Sequence, residues 1–263
     1  MNYIIFDLEF NQSYDSTKRR SIIKKASNKE CPFEIIQIGA VKLDEKLELI
    51  DKMDRLIKPV IYPEVNPFVQ ELTGITTEML KLAAPFYEIY NEFTEFLKSN
   101  RAILCVWGKA DIKELFRNVK YHKLDLSLIP KEYINLQKHA SKHLNCPKGT
   151  SIGLSNAVNL LNIPSKDEFH NAFMDAYYTA EIFRKIYNDS MKPKIYNINE
   201  NRSSNKRNSR MPSIDTEGLF KQFEKMYNRE ITEEEKSMIK LSYMMGKTRQ
   251  FQIEIPDNKP TIQ

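Results

Sequence analysis

Tyr3-Ile4-Ile5-Phe6-Asp7-Leu8-Glu9 is the stretch on which the fold turns. A short apolar run that ends in a carboxylate reads as a buried strand with a polar mouth. Alternate residues of a strand point to the same face. Asp7 and Glu9 therefore project together from the strand's end, while Leu8 points into the core. Hard divalent cations such as Mg²⁺ take oxygen ligands, so the pair is a candidate part of a metal site. Asp-x-Glu is also a common solvated surface pattern. What sets this copy apart is its place directly after a hydrophobic strand, where a solvated pair has less reason to sit.

Outward from that strand, residues 12–32 are irregular and basic (Lys18, Arg19, Arg20, Lys24, Lys25) and read as an excursion ending at Pro32. Glu34–Leu43 and Leu47–Ile57 flank Asp44-Glu45-Lys46 and read as an antiparallel hairpin, so the first three strands form a meander. From Pro67 the apolar residues Phe68, Leu72, Phe86, Ile89, Phe93, Phe96 and Leu97 take helical spacings. Ala102–Trp107 is a fourth strand, Asp111–Val119 a helix, and Tyr133–Leu136 a short fifth strand. Ile152–Leu161 and Phe173–Tyr187 are further helices. The expected architecture is α/β: a mixed five-stranded sheet flanked by helices over residues 1–190. Residues 191–214, rich in Asn, Ser, Lys and Arg, read as a basic flexible linker. Residues 215–263 form a helical C-terminal extension. Its apolar stripe runs through Leu219, Phe223, Met226 and Tyr227, then Ile239, Leu241 and Met244. Thr232 and Glu235 would cap its second helix.

The 263 residues suffice for one large domain with an appendage. No run approaches the roughly 18 apolar residues that cross a bilayer. The N-terminus does not read as a signal peptide, because Asp7 and Glu9 break its apolar run and no basic segment precedes it. Cys31, Cys105 and Cys146 are too few and too scattered for a disulfide framework. A cytoplasmic, reducing setting is expected. The net charge of +5 is uneven: residues 1–190 carry 26 Lys+Arg against 25 Asp+Glu, and residues 191–263 carry 14 against 10. A basic excess suits an anionic partner such as nucleic acid.

Two further motifs carry carboxylates. Trp107-Gly108-Lys109-Ala110-Asp111 sits where the fourth strand enters a helix. If the first and fourth strands are neighbours, Asp111 lands beside Asp7 and Glu9; alone, it would merely open a helix with a charge that suits the dipole. In His170-Asn171-Ala172-Phe173-Met174-Asp175, a five-residue step leaves the two side chains about 140° apart on a regular helix. They can share a site only if Asp175 sits in the helix and His170 on the loop before it. Imidazole changes charge near neutral pH, which suits a general base. Clustered carboxylates repel and need a cation. Two ions about 3.5–4 Å apart stabilise both the attacking and the leaving oxygen of a phosphodiester.

The set resembles the DEDDh (DnaQ-like) exonucleases of the RNase H-like fold. Asp7 and Glu9 match the first motif of that family, Asp111 the second, and His170 with Asp175 the third. Glu71-Leu72-Thr73-Gly74-Ile75-Thr76 resembles a segment usual between the first two motifs. The likeness covers about residues 1–190. Within the family, Asp7 to Asn11 and the Trp-Gly start of the second motif look most like the RNA-directed group that includes the sporulation inhibitor KapD and the histone-mRNA exonucleases. The resemblance implies a 3′→5′ exonuclease with two Mg²⁺ or Mn²⁺ ions held by Asp7, Glu9, Asp111 and Asp175. It implies His170 as the base, nucleoside 5′-monophosphate as product, and single-stranded RNA or DNA 3′ ends as partners. RNA is modestly preferred. The alternatives are a DNA exonuclease for proofreading or repair, and a non-catalytic nucleic-acid-binding or regulatory protein acting through its tail.

Leu8, Phe10, Trp107 and Lys109 are the candidate substrate-binding residues. Phe10 stands where many relatives have threonine, and stacking on the last base and packing into the core are both open. Trp107 is the better candidate for core packing. His139, His143 and Cys146 have zinc-like spacing without a fourth ligand nearby, and read as a surface helix. Residues 215–246 could bind a partner or self-associate.

Overall fold

The computed structural model describes residues 1–13, 28–147, 149–165, 169–198, 216–236, 238, 239 and 242. The chain divides into two units, Met1–Arg202 and Ser203–Gln263. In the first unit, β1 (Asn2–Asn11), β2 (Glu34–Leu43) and β3 (Leu49–Lys58) form the antiparallel meander. At the β2–β3 turn, Asp44 Oδ1 accepts the backbone N–H groups of Lys46 and Glu48. β1 also pairs in parallel with β5 (Ala102–Val106), which pairs in parallel with β6 (Glu132–Asn135). Two-residue strands extend both edges: β4 (Ala84–Pro85) joins β3, and β7 (Lys194–Ile195) joins β6. The sheet order is β4-β3-β2-β1-β5-β6-β7, so the five expected strands are present and two short ones are added.

β7 corrects the expected extent of the linker. Residues 191–198 fall inside the linker expected from polar composition, yet Met191 and Tyr196 are buried. Tyr196 stacks on Phe116 with ring centroids 4.8 Å apart and meets Tyr133 edge-on at 6.1 Å. Two apolar side chains thus hold a segment whose average composition is polar. Residues 199–215 lie outside the described residues, as do Lys18 to Lys25, Leu241 and Met244.

The single helical region expected from Pro67 is three helices: α1 (Pro67–Thr73), α2 (Thr77–Lys81) and α3 (Phe86–Leu97). Gly74 ends the first at φ 72, a left-handed conformation that costs glycine little. Thr76 then caps the second. α4 (Ala110–Tyr121), α5 (Leu136–His143), α6 (Leu154–Leu160) and α7 (Ala172–Ile186) complete the unit. The two faces of the sheet bury separate cores. Ile4, Phe6 and Leu8 pack with residues of α3 and α4, while Tyr3 and Ile5 pack with residues of α6 and α7.

The end of β1 is tied down by Asn11, which is fully buried. Its amide donates to the carbonyls of Tyr62 and Glu64 and accepts from the Asn66 N–H, at 2.8–2.9 Å. Beside it, the buried carboxylate of Glu34 accepts the N–H groups of Val60, Ile61 and Tyr62.

In the second unit, α8 (Thr216–Tyr227) buries none of its residues. Thr232 and Glu235 form the expected reciprocal cap: the Thr232 N–H donates to Glu235, and the Glu235 N–H to Thr232 Oγ1. Leu219, Phe223, Tyr227, Ile231 and Met238 line an apolar groove. Among the described residues, no helix is long and apolar enough to cross a membrane.

Candidate active site

Asp7 and Glu9 follow Tyr3 and Ile5 on one face of β1, the face against which α7 packs. The β1–β2 register shifts between Glu9 and Phe10. Such bulges re-aim the chain, and here the aim changes directly after the second carboxylate. On β2, Gly39 stands opposite Asp7. A Cβ at that position would lie 2.1 Å from the Ala172 carbonyl carbon and the Phe173 nitrogen. The bare glycine is what lets the start of α7 lie against the sheet. Gln37 pins it there: its Oε1 accepts the Ala172 N–H at 3.1 Å, and its Nε2 donates to Asp54 at 2.8 Å.

Asn171 is the N-cap of α7, its side chain accepting the N–H groups of Phe173 and Met174. Asp175 therefore falls in the first helical turn. His170 precedes the cap in a left-handed conformation, φ 64, and is exposed. Its backbone N–H donates to Asp175 Oδ2 at 3.3 Å. This is the loop-then-helix arrangement that a five-residue spacing requires for one shared site.

Ligand oxygens of Asp7, Glu9 and Asp175 lie within 4.8 Å of one another, the one group of that kind among the described residues. Asp111, at the start of α4 and 7% exposed, lies close enough to act on Asp7, Glu9 and Asp175 through its charge. Burial, then the neighbouring carboxylates Asp175 and Asp111, pushes Glu9 up to about 8. Burial pushes Asp111 up to about 7, with Asp175 and Glu114 adding to it. Burial pushes Asp175 up to about 6, against the His170 N–H and charge, which favour its ionised form. Asp7 is held well above the ordinary carboxylate range by burial and by the charges of Asp111, Asp175 and Glu9. Asp175 Oδ1 is buried without a hydrogen-bond partner. Four acids that resist ionising together, one with an orphaned oxygen, make an all-oxygen donor set suited to hard divalent cations.

The other sequence candidates fare differently. Leu8 is 3% exposed in the core, so its side chain offers substrate no surface; that is a correction, and strand alternation is its cause. Phe10 is half-buried against the same core and meets Phe33 edge-on at 6.3 Å. Trp107 is half-buried against the opposite core, with its Nε1 buried and unpartnered. Lys109 is exposed, its ammonium 5.8 Å from the Tyr133 ring centroid. His139, His143 and Cys146 do not bring three ligand atoms together. Gly39, Gln37 and Asn171, which seat α7, escaped the sequence reading. A glycine inside a hydrophobic strand is the one available signal, since it marks close backbone approach.

An exonuclease family profile matches residues 4–183. A PolC-type DNA polymerase III from Caldanaerobacter subterraneus subsp. tengcongensis is 31% identical over 169 residues, covering 64% of this chain and 11% of the polymerase. Human ERI1 exoribonuclease 3 is 25% identical over 165 residues, covering 59% of this chain and 48% of the relative. The chain thus matches about half the length of that relative and a small part of the polymerase. The nuclease domain of 3'hExo, a DEDDh family member solved bound to rAMP, superposes with a TM-score of 0.59 at 20% identity. The alignment covers 74% of this chain and 96% of that domain, and the shared fold is that of the DEDDh exonucleases.

Proposed function

The chain belongs to the exonuclease family, and from that premise we propose that it is a metal-dependent 3′→5′ exonuclease that shortens single-stranded nucleic acid. The observation that carries the reading is the convergence of Asp7, Glu9 and Asp175, with Asp111 beside them and His170 at the lip. Asp7, Glu9 and Asp175 would hold divalent cations together, with Asp111 beside them contributing a further carboxylate. Divalent cations bound there supply charge neutralisation and stabilise the attacking and leaving oxygens. His170 takes the proton of the attacking water. The water oxygen bonds to phosphorus, the bond from phosphorus to the upstream 3′ oxygen breaks, that oxygen takes a proton from solvent to become the new 3′-hydroxyl, and a nucleoside 5′-monophosphate leaves. Phe10, beside Glu9, is the stacking surface for the terminal base.

RNA is the preferred substrate in this reading, supported by the exoribonuclease relative and by the likeness to the RNA-directed group. The PolC-type relative, at higher identity, supports the second reading, a DNA exonuclease. Two buried thiols, Cys31 and Cys105, accord with a reducing cytoplasmic setting. The exposed Met226, Tyr227 and Met238 mark the tail as the place for partner binding or self-association.

The test is a panel of Asp7→Ala, Asp175→Ala and His170→Ala, with products identified chromatographically. The two carboxylate variants lose activity. The histidine variant loses about 10²–10⁴-fold, the range of a general base, and keeps its fold. A fully active Asp175→Ala enzyme would refute the assignment.

A further inference from the structure

A second charged feature lies beside the carboxylate site. Residues 101–150 carry ten Lys+Arg against four Asp+Glu. Part of it converges on one cavity at the end of β6. The lining includes Lys109, Lys138, His139, Lys192 and Lys194 beside Tyr133, and no acidic residue. None of the four lysines forms an ion pair with a described carboxylate. Glu132, next to Tyr133 on β6, is engaged by Arg101. The fold sets these four exposed lysines around one cavity. Lys194 is held on β7 opposite Tyr133, Lys109 lies over the Tyr133 ring, and Lys138 rides the first turn of α5. Burial, then the charges of Lys194 and Lys142, also holds the His139 imidazole below its usual range, as a locally positive field requires.

The position relative to the carboxylates is fixed by the sheet. β1, β5 and β6 run parallel, so their C-terminal ends lie in a row. Asp7 and Glu9 emerge from the first, Lys109 and Asp111 follow the second, and Asn135 closes the third. Two strand spacings, about 10 Å, separate the row's ends. The cavity is small, about 30 Å³, and opens to solvent.

We infer that Lys109, Lys138, Lys192 and Lys194 form a backbone-phosphate cleft for the strand leading to the 3′ end. The inference rests on the nuclease reading above and adds the path of the substrate. Lysines that contact phosphate grip every sequence alike and make binding salt-dependent.

The experiment uses the full chain in EDTA, so that binding is read without cleavage. Affinity for a 5′-labelled single-stranded 20-mer is measured across salt concentrations for the wild type and for Lys138→Gln/Lys192→Gln/Lys194→Gln. Each lost phosphate contact flattens the log–log salt slope by about 0.7 for single strands. The triple variant is expected to flatten it by about 2 and to weaken binding about tenfold or more near 0.1 M salt. The corresponding triple arginine variant restores the slope, which a mere packing role would not do. An unchanged slope overturns the cleft. So does an equal loss for a free nucleoside 5′-monophosphate, which does not reach it. Unchanged 20-mer binding with lost binding of polyglutamate would instead assign the lysines to an acidic protein partner. A wild type that binds the 20-mer but degrades nothing with Mg²⁺ sinks the nuclease reading, and the salt slope still decides the cleft.

Discussion

Gly39→Ala probes the way the fold assembles the site, without touching a carboxylate. The new methyl would lie 2.1 Å from two backbone atoms of α7 and 2.3 Å from the Ala172 oxygen. Ordinary carbon contacts sit near 3.5 Å, so the strand and the helix start must part by about 1.4 Å. No rotamer relieves this, because backbone is on both sides. Overpacking of this kind costs about 1–3 kcal/mol, which lowers Tm by roughly 2–12 °C in a domain of this size. Asp175 lies one turn into the displaced helix, and Asp7 is the cross-strand partner of Gly39. Misplacement by about 1 Å costs on the order of 10²-fold in rate. The assay pairs thermal melts with single-turnover digestion, and Gly153→Ala, where an added Cβ meets nothing within 4 Å, is the control. A Gly39→Ala protein with wild-type Tm and wild-type rate would refute the claim that helix seating sets the carboxylate geometry.

Three further outcomes follow from the same physics. Glu9, Asp111 and Asp175 are pushed to about 8, 7 and 6 in the metal-free fold, so the folded chain keeps protons that the unfolded chain releases above its ordinary carboxylate pKa. Their contribution to stability is present below about pH 4 and is lost as pH rises through 6 to 8. The rise in Tm on adding Mg²⁺ therefore grows from pH 5.5 to 8.5, and calorimetry should find protons released on binding; a pH-independent rise contradicts this. Asn11→Ala removes three part-buried hydrogen bonds, two to the carbonyls of Tyr62 and Glu64 and one from the Asn66 N–H. Urea denaturation should show a loss of roughly 2–4 kcal/mol, with under 1 kcal/mol counting against it. Phe10→Ala should weaken single-strand binding by about 1–3 kcal/mol; unchanged affinity would assign the ring to the core alone.

Much of the central sheet was legible because its signals are local. The apolar run before Asp7, the Asp44 turn between two hydrophobic stretches, and the all-apolar Ala102–Val106 each announce a strand from a few neighbouring residues. The carboxylates were legible for a related reason: each sits at the end of a strand or the start of a helix. What the sequence hid depends on contacts between distant segments. β7 forms because Tyr196 finds Phe116 and Tyr133, a partnership that its polar neighbours conceal. β4 is two residues long and has no pattern to read. The seating of α7 depends on Gly39 and Gln37, more than 130 residues away from Ala172 in sequence. The lysine cleft joins α5 to β7 in the same way. Leu8, between two carboxylates, is buried as the strand's alternation foretold.

The most direct test of the account is digestion of 5′-labelled single-stranded RNA and DNA of matched sequence, with Mg²⁺, Mn²⁺ or EDTA, by the wild type and by Asp175→Ala. The account predicts a ladder that shortens from the 3′ end, requires the metal, is absent in the variant, and forms faster on RNA. A folded wild type that binds Mg²⁺ and leaves both strands intact would contradict it.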